Sequence, residues 1–184
     1  MKKLLLSFFV VCFALTQLVA QDPTFVKGDK ALNLGIGFGS TWYSGSYYHG
    51  QVPPVSASLE FGVAENILEK GVIGVGPYLG YSSYKYDIND WGYKYSNIIV
   101  GVRGNFHYPL ADKLDTYVGL LLGYHIVSAK EFGTPSGYDY SVSSSGLATA
   151  GYIGARYYFT DSFGLMAELG YGITYLNVGV ALKF

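Results

Sequence analysis

The sequence predicts an all-β fold: an eight-stranded antiparallel up-and-down transmembrane β-barrel. Three observations carry this. Apolar residues alternate with glycine, small or polar residues over most of the chain, as in Leu32-Asn-Leu-Gly-Ile-Gly-Phe-Gly39, and a period of two marks a strand with two unlike faces. Half of the residues are hydrophobic and 17% aromatic, while only 14% are charged, against about 25% charged in ordinary soluble domains. After residue 20, no apolar run reaches the roughly 18 residues that mark a membrane helix. An apolar chain of this kind crosses a membrane on strands, whose alternation dilutes the apparent hydropathy.

The first twenty residues stand apart. Met1-Lys2-Lys3 precedes an apolar run from Leu4 to Leu15, and Ala20 precedes the polar Gln21. A basic start, a short apolar core and a small residue before a polar one make a secretory signal peptide, with cleavage expected after Ala20. The mature domain is then 21–184, one domain in length. Cys12 is the only cysteine and leaves with the signal, so the mature chain has neither disulfides nor thiol chemistry. Losing Lys2 and Lys3 makes it more acidic than the whole chain's −1. With no basic patch, nucleic acid is not an expected partner.

The strands follow in order. The first is Leu32 to Gly39, followed by a polar and aromatic loop over 40–52. The second begins at Pro53-Pro54, where proline is tolerated, and sets Val55, Ala57, Leu59, Phe61 and Val63 on one face. A short turn, helical in tendency, spans 64–70. The third, 71–84, contains Pro77, which cannot donate a ladder bond, so a bulge or break is expected there. A loop over 85–92 leads to the fourth strand, 93–108. Residues 109–114 form a turn and 115–128 the fifth strand. Residues 129–143 form the longest loop, rich in serine and glycine, before the sixth strand, 145–159. Thr160-Asp161-Ser162 is a tight turn. The seventh strand, 163–172, and the last, 175–184, are joined by a tight connection over 172–174.

Long and short connections alternate except at the last pair. Bacterial outer-membrane barrels have short periplasmic turns and longer outer loops. With both termini periplasmic, the outer connections are 40–52, 85–92, 129–143 and 172–174. Eleven of the 19 tyrosines then lie in or beside the first three (Tyr43, Tyr47, Tyr48, Tyr81, Tyr84, Tyr86, Tyr93, Tyr95, Tyr124, Tyr138, Tyr140), as in an aromatic girdle at the outer interface.

Alternation alone does not say which face meets lipid. The non-apolar face is mostly glycine, alanine, serine and asparagine, whereas a solvent-facing sheet carries many Lys, Glu and Thr. A glycine-rich face suits a narrow interior with room for Tyr78, Tyr117 and Tyr152. The inward charges are Glu60, Arg103, Arg156, Glu168 and Lys183. Counted from the strand ends, the first four fall in one layer in the periplasmic half, with Lys183 below them. They are expected to pair there, because an isolated buried charge is costly. The cluster reads as a static plug or as a gate whose pairs switch.

Catalytic and cofactor motifs are absent. His125 and Ser128, three apart on a strand, point to opposite faces. Gly35-Ile-Gly37-Phe-Gly39 lacks the spacing and following helix of a dinucleotide fingerprint. Asp87, Asn89 and Asp90 offer three oxygen donors where calcium takes six to eight, and turn chemistry explains them. The chain is expected not to be an enzyme and to use no cofactor or metal.

The whole mature chain resembles the small eight-stranded outer-membrane barrels of the OmpA/OmpX type. Its ending, Glu168-Leu-Gly-Tyr-Gly-Ile-Thr-Tyr-Leu-Asn-Val-Gly-Val-Ala-Leu-Lys-Phe184, resembles that of the "outer membrane protein β-barrel domain" family. The resemblance implies a Gram-negative outer-membrane location and a barrel fold, not an activity. It implies that Tyr175, Leu176, Val178, Val180, Leu182 and Phe184 form the signal read by the barrel-assembly machinery. Other expected partners are outer-membrane lipid and lipopolysaccharide, an unknown surface ligand, and no second copy. An eight-stranded interior is just wide enough for side chains to fill, which argues against a wide pore. The expected function is a structural or surface-interaction role through the outer loops. A narrow or gated channel for small solutes, or a membrane-embedded lipid-modifying enzyme, is the alternative.

Overall fold

Alternation in sequence becomes the two faces of one closed sheet. The computed structural model describes residues 23–40, 48–88, 91–133 and 141–184. The expected signal peptide, Asn89 and Asp90, and the tips of the first and third outer loops lie outside these residues. The strands are β1 Lys30–Ser40, β2 Tyr48–Ile67, β3 Gly71–Ile88, β4 Trp91–Ala111, β5 Leu114–Phe132, β6 Ser141–Tyr158, β7 Phe163–Tyr171 and β8 Thr174–Lys183. Each pairs antiparallel with its neighbour, and β1 pairs with β8 from Ala31↔Lys183 to Ser40↔Thr174, which closes the barrel. Lys30 and Phe184 exchange backbone hydrogen bonds of 2.9 Å, so the seam runs to the last residue. Closure leaves no open edge at the height of these pairs, as hydrocarbon requires.

The apolar face is the outer one. Leu120 is 70% exposed and Leu147 is 75% exposed, and Ile98, Val100, Val102, Leu122, Leu165 and Leu169 stand out beside them. A continuous apolar girdle of this extent is far larger than a soluble monomer tolerates and matches the lipid-facing band of a membrane barrel. The opposite face fills the lumen, and its glycines are spacers. A Cβ at Gly154 would sit 2.6 Å from the Tyr117 ring, and one at Gly119 would strike the Tyr152 ring.

Several boundaries differ from the sequence reading. Five strands are longer than expected: β2 to β6 run 20, 18, 21, 19 and 18 residues, against 11, 9 and 10 for β1, β7 and β8. The expected loop over 85–92 is mostly ladder, since Ile88 pairs with Trp91. Much of the expected 40–52 and 129–143 loops is strand as well. Polar, aromatic-rich stretches read as loops by composition, yet Thr-, Ser- and Tyr-bearing strands are stable once a neighbour supplies the ladder.

Pro77 causes no bulge. The β2–β3 register is the same at Ser58↔Tyr78 and Phe61↔Val75, and β4 pairs with it regularly through Pro77↔Val102. A strand residue directs its N–H toward one neighbour only, so proline interrupts one ladder and spares the other. The irregularities lie instead between Gly50 and Val55, around Pro53-Pro54, and between Gly62 and Ile67. The turn after β2 is not helical: Asn66, Leu68 and Glu69 all have positive φ, a left-handed conformation that lets a short connection reverse the chain. At the β6–β7 turn, Thr160 Oγ1 accepts from the Ser162 and Phe163 amides.

Candidate functional site: the lumen and the outer sheet

The periplasmic half of the lumen holds a continuous ionic network. β2 contributes Glu60, β4 Arg103, Asn105 and His107, β5 Asp115 and Tyr117, β6 Tyr152 and Arg156, β7 Glu168, and β8 Asn177. Each occupies an inward register position. All the charged members are less than 10% exposed.

The lower tier is built on Arg156, whose guanidinium donates to Glu60 and, at 3.0 Å, to Asp115 Oδ2. His107 lies between the same two carboxylates, with Nε2 2.6 Å from Glu60 Oε1 and Nδ1 2.7 Å from Asp115 Oδ1. Both ring nitrogens face acceptors, so with both carboxylates ionised the ring carries two protons and a positive charge. Asn105 Nδ2 adds a 2.7 Å bond to Glu60 Oε1. The upper tier is Arg103 paired with Glu168. Glu168 also accepts from Tyr117 OH at 2.8 Å and from Asn177 Nδ2 at 3.0 Å. Tyr152 joins the tiers: its hydroxyl accepts from Arg103 Nε at 2.5 Å and donates to Asn105 Oδ1 at 2.7 Å. The guanidiniums lie over aromatic faces, Arg103 4.1 Å from the Tyr152 centroid and Arg156 4.7 Å from that of Tyr117.

Glu60, Asp115 and Glu168 thus face Arg103, Arg156 and His107, three negative groups against three positive. A neutral set in which every charge has an opposite partner is the arrangement in which charges survive burial, although Arg156 Nε is left without a hydrogen bond. The structure brings together Glu60, Arg103, Arg156 and Glu168 as the sequence suggested, but on two tiers. Heights counted from strand ends neglect strand tilt and stagger.

Lys183 does not belong to the network. Its Nζ donates to the Thr24 carbonyl at 2.7 Å and lies 3.9 Å from Asp29. The reason is a segment the sequence reading passed over. Residues 23–29 fold into the periplasmic mouth, Gly28 and Asp29 exchanging backbone bonds with Gly62. Phe25, 1% exposed, lies against His107 with ring centroids 4.6 Å apart. Lys183 therefore binds the plug, not the carboxylates. Asp115 was missed too, although its position two residues before the inward Tyr117 marks it as inward.

Above the network, Tyr78, Ile99, Leu121 and Ala148 form an apolar layer across the lumen. Higher still, His125 Nε2 lies 2.8 Å from Asn97 Oδ1, while Ser128 takes the opposite face. Asp87 pairs with Lys85 at 2.7 Å. Of the terminal-strand residues, Leu176, Val178, Val180, Leu182 and Phe184 lie on the outer face. Tyr175 instead has inward parity, but sits at the outer rim, half exposed beside Tyr171 at 6.3 Å.

The outer ends of the strands make a second region. Among the described residues, β7 pairs with β6 only from Tyr158↔Gly164 to Gly151↔Tyr171, and β1 with β2 only from Lys30↔Phe61 to Ile36↔Val55. Meanwhile β4 and β5 stay paired to Gly92↔Phe132. As far as the described residues go, the wall formed by β7, β8 and β1 is low, and that of β2 to β6 is tall. Outward positions of the tall part turn polar: Ser96↔Ser128 and Lys94↔Lys130 follow Ile98↔Ile126. Its other face carries Tyr93 and Tyr95, and Trp91 Nε1 donates to Glu131 Oε1 at 2.7 Å.

No family model and no curated protein matches the sequence. Solved structures do. The attachment invasion locus protein Ail of Yersinia pestis aligns over 86% of this chain and 100% of its own, with TM-score 0.52 and 14% identity. Ail in complex with the heparin analogue sucrose octasulfate aligns with TM-score 0.53 and 13% identity, over 86% of this chain and 100% of its own. A major outer membrane protein of Thermus thermophilus aligns over 85% of this chain and 99% of its own, with TM-score 0.59 and 14% identity. At such identities the likeness is one of fold alone: this chain has the eight-stranded transmembrane β-barrel architecture of those outer-membrane proteins.

Proposed function

We propose that this protein sits in a bacterial outer membrane as a lumen-closed barrel whose outer sheet is a surface-interaction platform. The observation that carries this reading is the tall wall. Among the described residues, five strands continue beyond the apolar girdle while three stop at it, so a sheet projects from the membrane. Among the described residues, 141–150 of β6 pair only with β5, and the stretch of β2 before Val55 pairs only with β3. An edge with free amides and carbonyls accepts an extended partner strand, with affinity from main-chain bonds and selectivity from alternate side chains.

A conducting pore finds no support in the lumen. Phe25, the two-tiered network and the Tyr78–Ile99–Leu121 layer occupy successive heights of it. The attachment role in Ail's name belongs to that protein, and shared fold does not transfer it.

The test is a shortened barrel in which residues 129–142 are replaced by a two-residue turn, so that β5 and β6 end nearer the girdle. Bacteria displaying the intact protein should attach to immobilised surface glycans or proteins, and those displaying the short form should fall to the level of cells without it. Equal attachment by both forms would end the platform reading.

A further inference from the structure

Three lysines stand side by side on the outside of the projecting sheet. Lys85 of β3 is in register with Lys94 of β4, and Lys94 with Lys130 of β5. Lys94 lies four residues beyond Ile98, and Lys130 four beyond Ile126, with no register shift between. All three side chains therefore leave the sheet on the lipid-facing side. Lys85 reaches Asp87 at 2.7 Å, and its Nζ lies 4.5 Å from the Phe132 ring centroid. Lys94 and Lys130 are exposed, and among the described residues neither has a carboxylate partner. Like charges directly opposite each other across a sheet are unfavourable, and among the described residues Lys85 alone of the three has an acid to offset them.

Their height suggests what offsets the other two. Four residues span about 13 Å along a strand and about 10 Å along the membrane normal at a tilt near 40°. Lysine stems extend back along apolar surface from there, which brings the ammonium groups to the headgroup level. On the girdle lies a shallow apolar groove, where Gly104 and Gly151 lack side chains between Val102, Leu120, Leu122 and Tyr171. The groove spans β4 to β7, with Leu122 eight residues below Lys130 on β5 and Val102 eight below Lys94 on β4, about 26 Å along the strand.

We propose that Lys94 and Lys130, with Lys85 beside them, bind the phosphate groups of an anionic outer-leaflet glycolipid whose acyl chain lies in that groove. The proposal rests on the membrane placement above. A soluble polyanion offers phosphate or sulfate as well, but it has no use for an apolar groove lower on the same lipid-facing side.

The experiment uses the full mature chain folded in neutral detergent and measures retained bisphosphorylated lipid A by its phosphorus. Wild type and the periplasmic-turn control Lys113→Gln should retain it equally. The Lys94→Gln/Lys130→Gln double variant should retain several-fold less, and dephosphorylated lipid A should be retained at that lower level by all three. Equal retention by the double variant, or of the dephosphorylated lipid by wild type, overturns the proposal. So does lysine-dependent binding of a sulfated oligosaccharide in the absence of lipid A retention, which would assign the row to a soluble partner. Gel mobility of each sample with and without boiling reports the fold separately. A wild type whose mobility is unchanged by boiling brings down the barrel and the lysine site together. Heat-modifiable samples leave the lipid result to judge the site alone.

Discussion

The periplasmic half of the lumen and the outer sheet are made from the same strands, yet they use polar residues in opposite ways. Below, every charge is enclosed, matched in sign and bonded several times over, as with Glu60 between Arg156, His107 and Asn105. Above, Lys94 and Lys130 face each other with no acid between them. The lower region satisfies its own charges, whereas in the upper region Lys94 and Lys130 have no carboxylate partner among the described residues. The difference follows from surroundings. An unpaired charge in a narrow lumen is strongly destabilising, whereas at the water interface it is tolerated at small cost.

Changes in the lower region should therefore be much the more damaging. Arg156→Leu strands Glu60 and Asp115 without their shared guanidinium donor. It should lower folding stability by about 3–5 kcal/mol, measured from urea-unfolding midpoints in lipid vesicles, and an unchanged midpoint would show that the network is not structural. Gly154→Val drives a side chain into the Tyr117 ring and should cost about 1–3 kcal/mol by the same assay. A loss no larger than that of Gly146→Val, where a Cβ meets nothing within 4 Å, would contradict the spacer role. Lys183→Met removes one bond from the mouth segment and should cost about 1 kcal/mol, with faster amide exchange at Val26 to Asp29 as its signature. Replacing 129–142 by a short turn should change stability least, within about 0.5 kcal/mol, because the removed part lies beyond the girdle. A loss as large as that of Arg156→Leu would erase the contrast between the two regions.

Conductance sharpens the same comparison. Arg103→Ala with Glu168→Ala opens the upper tier but leaves the Tyr78–Ile99–Leu121 layer and Phe25 in place. No channel current is expected in planar bilayers. A current in the double variant alone would make the network a gate, and the lumen rather than the sheet would then be the functional region.

Much of the barrel was legible because its signal is local. Leu34, Ile36 and Phe38, or Leu165 and Leu169, declare an apolar face within a few residues, and Thr160-Asp161-Ser162 declares a turn. Glu60, Arg103, Arg156 and Glu168 were recognisable as inward charges by parity alone. Their partners were not all recognisable. Asp115 joins Arg156, and His107 joins Glu60, across strands, and which inward residues meet depends on the stagger between strands rather than on position within one. Lys183 misled for a similar reason: parity placed it at the lumen mouth, but a separate segment, Thr24 to Asp29, occupies that mouth. The tall wall was hidden by composition, since Tyr86, Trp91 and Ser143 read as loop residues until the ladder between β3, β4, β5 and β6 is seen.

The pattern of apolar and small residues in this chain, through its period of two and its turns, was enough to set an eight-stranded sheet with one face for lipid. Those are properties of neighbours along the backbone. Closure of that sheet, the two tiers of paired charges, the Phe25 plug and the row of Lys85, Lys94 and Lys130 were decided only by the fold. Each depends on register between strands far apart in sequence, and register is set by the packing of the whole barrel.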